Sequence, residues 1–251
     1  MAPVRGAGAE MTGRGEQTMA GKRRRVTGGD GGGRISAETF RFFRDLGRNN
    51  SKEWMDGHRE RYQSSVVQPF RGLLAELAPT MLQLAPVDVG GRTGVSFSRI
   101  NRDIRFAKDK TPYRPQMYLS FPPQGGKNRG PGEFYIGVTK DVVTAGFRVY
   151  LDRDSKADAL GSRMAQTAKW CAQQKRRLAR RYESYWYSME KREWTKHAGW
   201  PVTQEEWTRL LAWIVRREMS PAAAARPTFA KDVGKIFREV LPLFRYVAAS
   251  D

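Results

Sequence analysis

The sequence predicts an α+β fold in which N-terminal helices and a helical C-terminal half flank a central antiparallel sheet. Three observations carry that expectation. Apolar residues recur at helical spacing before residue 90 and after residue 155. Between residues 100 and 151 they fall instead into short alternating or clustered runs. Those runs are joined by connections shorter than the dozen or so residues a parallel crossover needs. The 251 residues are 39% apolar and 11% aromatic, enough for one core without disulfides or a structural metal.

Residues 1–34 hold ten glycines, no aromatic side chain and the run Lys22-Arg23-Arg24-Arg25. Such a segment cannot bury enough apolar surface to offset its chain entropy, so a disordered tail is expected. The basic run suits an anionic partner, or is a solvated stretch of a flexible leader; Met11 and Met19 leave open a start further downstream. A single domain is expected over 35–251. Ser36 is the N-cap of a first helix, with Ile35 and Phe40 as its hydrophobic staple, Phe43 and Leu46 on the same face and Gly47 at its end. Asn50 and Glu53 read as a second capping box. The helix they open carries Trp54, His58, Tyr62, Val66, Phe70, Leu73, Leu77 and Met81 along one stripe. Pro69 lacks the amide hydrogen an interior position donates, so the helix should kink or restart there.

Ile100, Ile104 and Phe106 alternate with Asn101, Asp103 and Arg105, the period of a strand with one buried face. Met117 to Phe121 reads as a second strand. Phe134 to Val138 and Val142 to Leu151 read as a hairpin around Thr139-Lys140-Asp141. Ser155 with Asp158 opens a long helix expected to pass Trp170 and end near Tyr187. Thr203 with Glu206 opens another, carrying Leu210, Leu211 and Ile214. A last helix places Phe229, Val233, Ile236, Phe237, Val240 and Phe244 on one face, so residues 152–251 are expected to be mostly helical.

Forty-five Lys and Arg against 26 Asp and Glu give a charge of +19. The tail holds only +4 of it, so the folded part is itself basic and a polyanionic partner is permitted. The single cysteine, Cys171, excludes an intramolecular disulfide. With His58 and His197 the only histidines, no Cys/His zinc set exists; carboxylates could still hold Mg²⁺, but no motif points to it, and no cofactor or metal site is evident. The longest apolar run, Leu210 to Val215, is far below the roughly 20 residues of a membrane span. Met1 to Ala20 lacks the apolar stretch of a secretory signal, so a cytoplasmic protein without a membrane partner is expected.

The densest chemistry runs from Ser98 to Tyr113. On a strand, Arg99, Asp103 and Arg105 would share one side, with Arg102 opposite and Lys108 and Lys110 in the turn before Pro112. These five cations, offset by Asp103 and Asp109 and closed by Tyr113, make a field suited to phosphate or carboxylate. Cross-strand ion pairs and a solvated turn are the competing explanation. An exposed pair contributes only about 0–1 kcal/mol, so stability alone explains such charge density poorly. Were the cluster catalytic, Asp103 or Asp109 would be its acid/base, with the cations stabilising developing negative charge.

This segment resembles the R-x-x-R-D-x-R-F-x-K-D-K-T-P-Y hallmark of the family named domain of unknown function 2461. Asn49-Asn50, Trp54, Tyr62 and Pro69 fit that family's upstream positions, as do the strands from Phe134 to Tyr150 and the end around Pro242. The resemblance covers about residues 36–251. Met55 departs from a usual aromatic, and His58 from a usual Asn. A stretch with Trp186, Trp194, Trp200, Trp207 and Trp213 replaces a Pro-Arg-Gly segment. The resemblance implies an α+β fold and a site at the charged motif, and no particular reaction.

His58, one turn after Trp54, reads as a half-buried hydrogen-bonded histidine, and Cys171 as a quiet core thiol. A second basic patch, Lys175, Arg176, Arg177, Arg180 and Arg181, precedes Tyr182, Tyr185, Trp186 and Tyr187. Cations for phosphates and rings for bases suit single-stranded nucleic acid, and equally a solvated helix face opposite a core stripe. The leading functional expectation is an anion-recognising protein that binds nucleic acid or a phosphorylated small molecule through the motif. An enzyme on a small phosphorylated or carboxylated substrate comes next. Third is an interaction module with an exposed aromatic patch between Tyr185 and Trp213.

Overall fold

The computed structural model describes residues 34–125, 132–151, 168–178, 180–201 and 203–248. The expected disorder of the tail over 1–33, the start of a helix at Ser155 and the environment of the Cys171 thiol lie outside the described residues.

Helix α1 (Ala37–Arg48) begins where expected. The Ser36 hydroxyl accepts the Glu38 amide, and the Ser36 amide donates to the Thr39 hydroxyl. Phe40, Phe42, Phe43 and Leu46 face the core. Helix α2 (Lys52–Gly57) is capped by Ser51, whose hydroxyl accepts the Trp54 amide, and not by Asn50. Helix α3 (Arg59–Tyr62) runs through a π-turn at Gln63–Val67 into α4 (Gln68–Leu84). The interruption expected at Pro69 is this local widening. It leaves the proline in the first turn of α4, where no amide hydrogen is required.

Six strands form one sheet: β1 (Gln116–Phe121), β2 (Gly132–Thr139), β3 (Val143–Tyr150), β4 (Glu183–Ser188), β5 (Trp194–His197) and β6 (Leu210–Met219). Their order is β1-β2-β3-β6-β4-β5, and every neighbouring pair is antiparallel, which is the sheet expected from the sequence. The remaining helices are α5 (Ala168–Leu178), α6 (Gln204–Thr208), α7 (Pro221–Ala224) and α8 (Phe229–Ala248).

The C-terminal half is less helical than expected, because three of the strands lie in it. Helix α5 ends at Leu178 instead of continuing to Tyr187, and Tyr185 and Tyr187 lie on one face of β4 with Ser184 and Trp186 on the other. The spacing of Tyr182, Tyr185 and Trp186 satisfies a helix too. Pairing with β6 decides for the strand, since aromatic residues fit a pleated, half-buried surface. The capping box of Thr203 and Glu206 is present, but it opens a helix that stops at Thr208. Leu210 to Val215 is a continuous apolar run, and its periodicity cannot separate a helix from a strand with neighbours on both sides. It lies between β3 and β4, where the strand form is the one that completes the ladders.

Period two divides the sheet into two faces. On one, Phe134 stacks on Phe244 at 4.5 Å and lies 5.2 Å from Phe237, so α8 covers the core. On the other stand Tyr118, Ser120, Glu133, Tyr135, Arg148, Arg216 and Tyr185. The Arg148 guanidinium lies 5.2 Å and 4.8 Å from the Tyr118 and Tyr135 rings, and donates to Glu133 at 2.6 Å and Ser120 at 2.8 Å. Gly146 sits where β3 meets β6. A Cβ there would stand 2.1 Å from the Val215 carbonyl oxygen and 2.8 Å from Arg216 Cα, both backbone atoms that no rotamer change can move. Gly146→Ala is therefore expected to destabilise the protein by at least about 2 kcal/mol, an overpacking cost. In a calorimetric scan Tm should fall by roughly 4–8 °C. An unchanged Tm would contradict this close approach.

Candidate functional site

The charged motif begins as a companion to the outer edge of β1. The Ser120 amide donates to the Ser96 carbonyl at 2.7 Å, the Ser98 amide to the Tyr118 carbonyl at 3.0 Å, and the Tyr118 amide to the Ser98 hydroxyl at 2.9 Å. After Asn101 the chain leaves the sheet and returns. The Arg102 amide donates to the Pro112 carbonyl, and the Arg114 amide to the Ile100 carbonyl, each at 2.8 Å, closing a loop at its neck. The strand expected from Ile100 to Phe106 does not form. Asp103 accepts the Arg105 amide at 3.2 Å and Asp109 accepts the Thr111 amide at 2.9 Å, and such local bonds turn the chain where a ladder needs it straight. Phe106, expected on the buried side, is 94% exposed.

Asn50 ties this neck to the helices. Its side-chain amide donates to the Tyr113 carbonyl at 2.9 Å, and its side-chain carbonyl accepts the Tyr113 amide at 3.0 Å. The Tyr113 ring is buried in the core. The residues expected to bind anions thus separate. Arg99, Arg102, Asp103 and Arg105 line one cleft of about 750 Å³, together with Arg114 and with Ser120, Glu133 and Arg148 from the polar face of the sheet. Lys108, Asp109, Lys110 and Tyr113 do not line it. The Lys110 ammonium donates to the Ile104 and Arg105 carbonyls at 3.0 and 3.4 Å, and Lys108 is exposed.

Most of the cleft's cations are held. Arg102 is bound by Asp109 and by the Thr111 hydroxyl, Arg105 by Asp103 at 3.0 and 2.7 Å, and Arg148 by Glu133. Arg99 and Arg114 have no carboxylate partner among the described residues, and Arg114 reaches only the Arg99 carbonyl, at 3.5 Å. Arg114, Glu133 and Arg148 are absent from the sequence-derived site. Arg114 directly follows Tyr113, and Arg148 is a lone charge between Phe147 and Val149, which is the signal each one leaves in the sequence.

A family model described as conserved hypothetical protein (DUF2461) matches residues 38–246, a span that reaches from α1 into α8 and holds the loop and every described strand of the sheet. The chain belongs to the DUF2461 family. No curated protein matches it.

The other expected residues of this DUF2461 chain are dispersed. In the second basic patch, Arg177 donates to the Gln174 side chain and the Glu239 carbonyl, and Arg181 to the Glu239 carboxylate at 2.8 Å, fastening α5 to α8. Lys175, Arg180 and Arg181 border a separate cleft of about 450 Å³ with Glu183, Lys196 and Glu218, and Arg176 is exposed. His58 stacks on Trp54 at 4.0 Å, its Nδ1 2.7 Å from the Trp54 carbonyl oxygen. Trp200, Trp207 and Trp213 are buried against one another, leaving Trp194 as the most exposed tryptophan of the aromatic stretch. Among the described residues no group of three or more His, Cys, Asp or Glu could hold a metal ion. No described helix is long and apolar enough to cross a membrane.

Both candidate carboxylates are held ionised. The Arg105 side chain and amide keep Asp103 below the usual carboxylate range. The Thr111 amide, then Arg102 and the Thr111 hydroxyl, lower Asp109 from 3.8 to about 2. A depressed folded-state pKa contributes stability that is fully present above the unfolded value and is lost as pH falls through the folded one. The Asp109 turn should therefore persist down to about pH 3 and open near pH 2. In an NMR carboxylate titration the Asp109 midpoint should lie near 2. Thr111→Val should raise it towards 3.8, and a midpoint of 3.8 in the unaltered protein would contradict the turn.

Proposed function

We propose that this DUF2461 protein recognises a phosphate-bearing ligand in the cleft between the charged loop and the polar face of the sheet. One observation carries the reading. Of the five arginines lining the cleft, Arg102, Arg105 and Arg148 are matched by carboxylates, while Arg99 and Arg114 have none among the described residues. Unmatched guanidinium groups on a concave wall offer paired donors in the fork geometry that phosphate accepts. The held arginines fix the wall and maintain its positive field.

A compact ligand fits this arrangement better than an extended polyanion. Across the sheet, Arg216 is paired with Glu183 and Glu218, and Lys196 with Glu183, so that face continues the cleft without adding net positive charge. The exposed Phe106, with the Arg105 guanidinium 5.9 Å from its ring, supplies a surface for a planar group at the loop. Asp103 and Asp109 are acceptors already engaged by arginine and main-chain donors. That supports binding over proton transfer by either carboxylate.

Titration calorimetry with ATP and with inorganic pyrophosphate, beside a labelled single-stranded oligonucleotide over a salt series, tests the reading. The compact phosphates should bind. Arg99→Ala and Arg114→Ala should each weaken them by roughly tenfold or more, the effect of removing a charged hydrogen-bond donor. Binding of the oligonucleotide alone, with the steep fall in affinity that counterion release produces, would move the ligand to nucleic acid. Binding of neither at low salt would overturn the proposal.

A further inference from the structure

The segment from Phe97 to Asn101 has a second side. There it borders a pocket of about 340 Å³, closed opposite by α3, the π-turn and α4. The chemistry of this pocket differs from that of the cleft. Phe97, Ile100 and Met117, all buried residues, give it an apolar wall, and Val67, the last residue of the π-turn, adds to it. Arg59, Arg71 and Arg99 supply its charge, and none of its described lining residues is a carboxylate. Arg59 is held by Asp56 at 3.1 and 2.8 Å. The guanidinium groups of Arg71 and Arg99 make no hydrogen bond or ion pair with any described residue.

Two unpaired cations beside an apolar wall impose a double requirement. An inorganic anion would satisfy the guanidinium groups and leave the wall in contact with water. A purely apolar molecule would cover the wall and strip water from the cations without replacing it. A molecule with an anionic head and an apolar body meets both requirements. The volume, near the lower end of the about 300–1,000 Å³ typical of small-molecule sites, suits one ring or a short acyl chain.

We propose that this pocket binds a small organic anion, an aryl or short acyl group bearing a carboxylate or phosphate. Arg71 holds its head, Arg99 from the shared wall serves whichever of the two sites is filled, and Phe97, Ile100 and Met117 cover its body. The pocket is distinct from the phosphate cleft, although Phe97, Ser98, Arg99 and Asn101 form a wall common to both. Arg71 belongs to the pocket alone and Arg114 to the cleft alone, so the two sites can be tested separately.

The test is titration calorimetry of the full chain with benzoate, phenyl phosphate and inorganic phosphate. Benzoate or phenyl phosphate should bind at least about tenfold more tightly than inorganic phosphate, and the tighter of the two identifies the head group. Arg71→Gln should weaken that probe by roughly ten- to hundredfold. Arg114→Ala should leave it unchanged. Val67→Phe, which fills the pocket, should abolish binding; should that variant misfold by circular dichroism, the exposed Arg71 site still decides. Binding of neither organic probe at millimolar concentration, equal affinity for inorganic phosphate, or sensitivity to Arg114→Ala without sensitivity to Arg71→Gln would overturn the proposal. Loss of nucleotide binding in the cleft, with Arg71-dependent benzoate binding intact, would remove only the reading of the cleft.

Discussion

Among the described residues, the neck of the charged loop is hydrogen-bonded to the helices by one side chain, the amide of Asn50. A primary amide offers a donor and an acceptor side by side, as a peptide group does, so Asn50 serves Tyr113 as one rung of a ladder where no strand is available. Each bond adds only about 1 kcal/mol net, but a half-buried main-chain group left unpaired costs about 1–3 kcal/mol. The constraint therefore works mainly by making other positions of the neck unfavourable. Inside the loop, Asp103 binds Arg105, Asp109 binds Arg102, and Lys110 binds two carbonyls, so the tip is occupied with its own contacts. Arg99 and Arg114 flank the neck itself and are spared that role.

The sheet provides the second half of the cleft. Arg148 is enclosed by the rings of Tyr118 and Tyr135 and bonded to Glu133 and Ser120, so its position is set before any ligand arrives. A guanidinium paired and stacked in this way contributes field and shape, while the exposed Arg99 and Arg114 contribute free donors. Burial also raises the Tyr135 pKa, so its phenol remains neutral beneath the arginines.

Sequence periodicity reveals α1, α4, the β2–β3 hairpin and α8, because each has an apolar face of one unambiguous period against a uniform partner. It misplaces β4 and β6, where aromatic and continuous apolar runs fit helix and strand alike and only lateral pairing decides. The capping pattern of Asn50 and Glu53 conceals that Ser51 can cap α2 just as well, which releases Asn50 for a partner 63 residues away. Within the motif, residue types lead to the expectation of an anion site, and the turns at Asp103 and Asp109 decide which of its arginines are already paired. Arg99, Arg102 and Arg105 line one cleft although no strand aligns them, and Lys108 and Lys110 stay outside it. Arg114 and Arg148 join the site through tertiary contacts that no local pattern records.

The most direct measurement is amide hydrogen exchange on Asn50→Ala, combined with its affinity for ATP and pyrophosphate, the compact phosphates proposed as ligands. If the Asn50 amide holds the neck, the Arg102, Tyr113 and Arg114 amides will lose protection while β2 and β3 keep theirs. The affinity will fall even though no cation has been removed. Unaltered protection at Tyr113 with unaltered affinity would mean that the loop's own turns hold it in place, and would contradict the account.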